Sequence, residues 1–227
     1  MMRRLAAVLV VISAATSTSA QDAPADAAAK AALEKLAARM KDVRTLTAKV
    51  VQSRKTELLD KPIVSSGTMA YRRNPARLVF HLTEPRHAEI HLDQGSYQVY
   101  RPDEKRLERI DFAGEDVTSK ILMVFEPKAD DIGKAFIVHG GEAKDGDIEV
   151  RLESSNEQLR KRMKKIALTV AQSDGALKRI AYTDAEGDEI QFDLSDVVIN
   201  PELPAETFSL KIPEGTRVLR RTVALDK

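Results

Sequence analysis

Two hydrophobic periods divide this chain. Leu33, Leu36, Met40 and Val43 recur three and four residues apart and form one apolar stripe, which predicts a helix over Lys30 to Val43 with Asp26 as its N-cap. From Thr45 the period falls to two. Leu46, Ala48 and Val50 alternate with Thr45, Thr47 and Lys49, and Thr68 to Tyr71 follows Gly67, a natural place for a bulge or bend. Leu78, Phe80 and Leu82 alternate with Arg77, Val79 and His81, and Ile90 and Leu92 alternate with Glu89 and His91. Residues 97–100 and 106–110 continue the series. Asn74-Pro75, Glu84-Pro85, Gln94-Gly95 and Pro102-Asp103 separate the segments, each with a chemical reason to turn. The pattern predicts an antiparallel meander with one apolar face.

The meander is interrupted once. Between Gly114 and Lys134, Val117, Ile121, Val124 and Phe125 return to helical spacing, Pro127 stops the run, and Asp130 to Ala135 reads as a further helical turn. Strands then resume at residues 148–152, 166–170, 177–182 and 190–194. Their connections, Lys144 to Asp147, Ser173 to Gly175 and Glu186 to Asp188, are good hairpin turns. No internal repeat or domain boundary is visible. The expected class is α+β: one curved antiparallel sheet with helices on one side.

The N-terminus adds a location. Met1 to Arg4 is basic, Leu5 to Ile12 is apolar, and Thr18-Ser19-Ala20 supplies small residues for cleavage before Gln21. This pattern predicts a signal peptide over residues 1–20, a polar linker over 21–29 and one domain over 30–227. No cysteine is present, so disulfides, a lipobox and thiolate metal sites are excluded. The formal charge is +1, and losing Arg3 and Arg4 makes it about −1, which argues against a nucleic-acid partner. Tryptophan is absent and aromatic residues make up 4%, which fits aliphatic packing and gives little support to a stacking platform for bases or sugars.

Candidate chemistry is sparse. His81, His87 and His91 lie near Glu89, but the spacing is not that of a helical metal motif, and alternation places them on the solvated face opposite Leu78, Phe80 and Leu82. Arg160 to Lys165 is the densest basic run and reads as a solubilising rim at a turn, with lipid headgroups as a second possibility. No nucleophile elbow, phosphate loop, dinucleotide fingerprint or cofactor motif occurs, and no enzyme activity or cofactor is expected. What remains is the apolar face, which exceeds what one N-terminal helix can cover. The helical interruption around Val117 to Phe125 supplies a cover. Packed permanently, it makes an ordinary closed domain; able to lift, it makes a lipid-sized pocket.

The order of elements resembles the periplasmic lipoprotein-carrier family, the LolA-like proteins. The resemblance rests on Gly67 to Pro75, Leu92 to Pro102, Tyr182 to Phe192 and Phe208 to Gly215, in that order around the inserted helix. It implies an unclosed half-barrel of about eleven antiparallel strands with a helical lid on its concave face. It also implies a periplasmic monomer that shields the acyl chains of lipoproteins or related lipids. Cargo would come from an inner-membrane ABC-type release complex and pass to an outer-membrane acceptor. On that reading Leu78, Phe80, Leu82, Ile90, Leu92, Ile121, Leu122 and Phe125 line the acyl pocket, and Arg73 or Arg72 latches the lid. A lipid-sensing regulatory module on the same scaffold is the alternative.

Overall fold

The change of period at residue 45 marks the passage from a helix to a long sheet. The computed structural model describes residues 22–93, 95–114, 122, 125 and 129–225. The expected signal peptide lies outside the described residues. Helix α1 spans Asp22–Met40, so the stretch expected as a linker is its first turns. Alanine-rich sequence is good helix, and here the small side chains have a packing purpose. Ala29 is fully buried, and α1 lies so close to the sheet that a Cβ on Gly140 would fall on the Ala25 backbone. Asp26 is not the N-cap: it sits inside α1, and its Oδ1 accepts the Gly140 N–H at 2.7 Å.

Strands β1 (Thr45–Lys55), β2 (Ile63–Arg72), β3 (Arg77–Glu84), β4 (Ala88–Asp93), β5 (Ser96–Arg101) and β6 (Arg106–Gly114) form the expected meander. Helix α2 (Ala129–Ala135) precedes β7 (Phe136–Lys144) and β8 (Asp147–Ser154), and α3 (Glu157–Arg162) precedes β9 (Met163–Ala171). Strands β10 (Leu177–Asp184), β11 (Glu189–Ile199) and β12 (Arg217–Leu225) complete the chain. All belong to one 12-stranded sheet in the order β12-β6-β5-β4-β3-β2-β1-β11-β10-β9-β8-β7, one strand more than the resemblance implies. Every pairing is antiparallel except β12 on β6, and β12 and β7 do not pair with each other, so the sheet is unclosed.

Alternation sorts the side chains as expected. Leu46, Ala48 and Val50 of β1 and Ile148, Val150 and Leu152 of β8 point to the inner face, which α1 covers with Ala32, Leu33, Leu36 and Met40. Gly67 marks a register shift between β2 and β3, and a Cβ there would strike the His81 carbonyl. Strands β2 to β4 are buried on both faces because the chain after β11 crosses the outer face. Phe208 and Leu203 pack there on Ala70 and Val79, and Arg77 Nη1 donates to the Phe208 carbonyl at 3.1 Å.

The basic run is only partly a turn. Arg160 to Arg162 belong to α3, whose N-cap Asn156 accepts the Leu159 N–H at 2.9 Å, and Met163 to Lys165 open β9. Among the described residues no helix is long and apolar enough to cross a membrane.

Candidate functional site

Register brings the apolar residues of β3 and β4 into one sheet-face cluster. Phe80 pairs with Ile90, Leu78 with Leu92 and Leu82 with Ala88. Leu78, Phe80, Leu82, Ile90 and Leu92 are all buried, and they share one core with α1 and with Val150, Leu168 and Phe192 across the sheet. Of the expected cover, Leu122 and Phe125 are described; both are buried in the same core, and the Phe125 N–H donates to the Leu122 carbonyl at 2.8 Å. Ile121 lies outside the described residues. Two ring stacks tie the parts together: Tyr71 on Phe125 at 5.2 Å joins β2 to the cover, and Phe80 on Phe192 at 4.9 Å joins β3 to β11.

Packing is tight where the described residues of this face meet the end of α1. The space left under the α1 C-terminus is about 20 Å³, bounded by Met40, Leu46, Phe125, Leu177 and Leu194. That is room for about one water molecule and none for an acyl chain.

The two arginines part company because neighbouring side chains on a strand face opposite ways. Arg73 shares the phase of Tyr71, and its guanidinium donates to the Met40 carbonyl at 2.5 Å and the Lys41 carbonyl at 2.6 Å. These are carbonyls at the α1 C-terminus, which has no further helical turn to bond them. Among the described residues, then, the element that Arg73 holds is α1. Arg72 faces outward with its guanidinium 4.7 Å from the Phe208 ring centre, so it packs on the outer crossing segment.

Sequence reasoning missed a polar group at one end of the inner face. Arg54 is paired with Asp188 at 2.6 Å and lies 4.0 Å from Asp184, near Tyr182. Burial works against the Arg54 charge, but the Asp188 hydrogen bond and the nearby carboxylates outweigh it and hold the guanidinium firmly protonated. Burial pushes the Tyr97 and Tyr182 phenols up, so both are neutral donors. The available signal was the phase of Arg54, which follows Val50 at even spacing and so points inward.

The histidine expectation needs correction. His91 is buried, not solvated, because the outer face of β4 lies beside the crossing segment. Its Nε2 stands 3.6 Å from Glu89 Oε2. Burial lowers its pKa and His81 adds to this, against the opposing pull of Glu89 and Asp93. A polar hollow of about 330 Å³ lies there, between Arg77, His91, Asp93, Gln98 and Ser209. His87 remains exposed beside Asp103, and no cluster of metal-binding side chains occurs among the described residues.

The family model for the outer membrane lipoprotein carrier protein LolA matches residues 41–211, most of the chain and all of this face up to β11. This chain belongs to the LolA family. LolA-family proteins are periplasmic binding and carrier proteins. An outer-membrane lipoprotein carrier protein of Cupriavidus taiwanensis is 24% identical over 217 residues, covering 94% of this chain and 98% of that protein. Among solved structures, a LolA superfamily protein from Nitrosomonas europaea has a TM-score of 0.43 and 15% identity, covering 80% of this chain and 97% of that one. MucB of Pseudomonas aeruginosa, solved in complex with MucA, has a TM-score of 0.43 and 10% identity, covering 81% of this chain and 61% of that one.

Proposed function

We propose that this protein is a periplasmic carrier, exported by its N-terminal signal peptide, that shields the acyl chains of lipoproteins or related lipids against its inner sheet face. The observation that carries this reading is the continuity of one apolar core from β3 and β4 through Leu122 and Phe125 to α1, on a sheet with two free edges. Each acyl methylene removed from water contributes about 0.8 kcal/mol, so one long chain can offset the separation of a helix from a sheet. The hollow beside the end of α1 holds only about 20 Å³, so on this reading cargo enters by displacing α1 or the covering segment. The carrier reading also assigns a donor, an inner-membrane ABC-type release complex, and an outer-membrane acceptor.

A benzophenone side chain at Leu82, irradiated in cells, tests the proposal through mass spectrometry of the adducts. Lipoprotein adducts are expected. Adducts to free lipid alone would favour the lipid-sensing module, and none at all would mean a permanently closed domain.

A further inference from the structure

The hairpin joining β1 to β2 carries apolar side chains that contribute nothing to the core. Leu58 is 92% exposed and Leu59 49%, while Val64 is 50%, Ile63 45% and Val51 41% exposed. A lone exposed leucine is ordinary, but this concentration on one hairpin is not. The tip also overhangs the sheet. Its last ladder pairs with the neighbouring strands are Lys55 with Glu189 of β11 and Ser66 with Glu84 of β3, so residues 56–62 project beyond both neighbours. The tip is held in shape locally: the Leu58 N–H donates to Thr56 Oγ1 at 2.9 Å.

From these facts we infer that the β1–β2 tip is a membrane-docking element that seats in the interfacial layer of a lipid bilayer. Two observations select a bilayer over a protein partner. First, the hairpin is apolar on both faces. Val51 and Val64 lie on the outer face, opposite in phase to Val50, whereas Ile63 sits across from inward-phased Arg54. A protein groove reads one face of a hairpin; the interior of a lipid leaflet accepts both. Second, the charges of the tip cancel. Lys55 and Lys61 balance Glu57 and Asp60, and Lys55 is already within 3.4 Å of Glu189, so no net charge is offered to an acidic or basic peptide. An electroneutral apolar tip suits a headgroup layer irrespective of lipid charge.

Docking here has a geometric consequence. The strand that bears the tip also lines the inner face through Leu46, Ala48 and Val50, and ends at the Arg54–Asp188 pair. A seated tip therefore presents that end of the inner face to the lipid. This consequence rests on the carrier reading; the docking itself does not.

Because the chain has no tryptophan, Leu58→Trp in the full chain provides a unique fluorophore. With phosphatidylcholine vesicles containing brominated acyl chains, its emission is expected to shift to the blue and to be quenched. Both effects should persist in about 0.5 M salt, where charge attraction is screened. The reporter Val218→Trp, on the 52% exposed position of β12, should stay unquenched. Leu58→Asp with Leu59→Asp should lower vesicle affinity at least about tenfold with an unchanged circular dichroism spectrum. Absence of quenching, quenching confined to anionic vesicles at low salt, or equal affinity of the double variant would overturn the inference. Phe80→Ala separates it from the carrier reading: vesicle docking should survive while acyl capture is lost.

Discussion

Replacing Arg73 with alanine should loosen α1 from the sheet without touching the apolar core. The side chain makes two hydrogen bonds from a charged donor, at 2.5 and 2.6 Å, to carbonyls at the helix C-terminus. Charged hydrogen bonds contribute about 1.5–3 kcal/mol each when buried, and a cation at a helix C-terminus adds about 0.3–1 kcal/mol. Because the site is only partly buried, the sum falls to about 2–3 kcal/mol. At about 2–4 °C per kcal/mol for a domain of this size, the melting temperature should drop by roughly 4–12 °C. Urea denaturation gives the free energy, and amide hydrogen exchange locates it. Exchange should accelerate most over residues 33–43, where Leu36 and Met40 leave the core with the helix. Arg73→Lys, which keeps the charge but not the fork, should recover part of the loss. A change under about 0.5 kcal/mol in Arg73→Ala, with α1 exchange unaltered, would refute the idea that this residue fastens the helix.

Further predictions address the two faces of β3 and β4. Phe80→Ala, which deletes a buried ring stacked on Phe192, should cost about 3–5 kcal/mol in urea denaturation, whereas Phe80→Leu should cost under about 1.5 kcal/mol; equal effects would show that this face is not tightly packed. His91 carries a lowered pKa in the folded state, so the unfolded chain binds its proton more readily. Its neutral form therefore supports stability above the ordinary value of 6.5, and that support is lost as pH falls below 6.5. The groups around it are Glu89, His81, Asp93, Arg77 and Gln98, and in His91→Gln the slope of stability against pH in this window should flatten while they remain. An unchanged slope would assign the acid sensitivity elsewhere.

Much of the meander was legible because burial on one face writes a period of two into the sequence. Leu78, Phe80 and Leu82 declared their face, and the turn residues declared where each strand stopped. Strand β12 left no such trace: Val218 and Leu219 are adjacent and Arg220 and Arg221 follow, because an edge strand with exposed side chains has no face to declare. The burial of His91 depends on a segment more than a hundred residues downstream crossing the outer face, and alternation within β4 cannot register that. Residues 22–29 looked like a linker because alanine is ambiguous between a tether and a helix packed closely on a sheet. The apolar face of β3 and β4 was legible from phase, but that Arg73 fastens the end of α1 is long-range geometry.

The position of β1 in the middle of the sheet also governs how the chain can fold. Its partner on one side, β2, is adjacent in sequence, but its partner on the other, β11, pairs Lys55 with Glu189 across 134 residues. The early strands can zip together as they emerge, yet β1 keeps an unsatisfied backbone edge until nearly the whole polypeptide is available. A chain threaded through a translocation pore from its N-terminus would stay incompletely folded until residue 199 had cleared it. The late joining of β11 to β1 is thus the step at which two half-sheets become one, and the step most exposed to strand-edge aggregation.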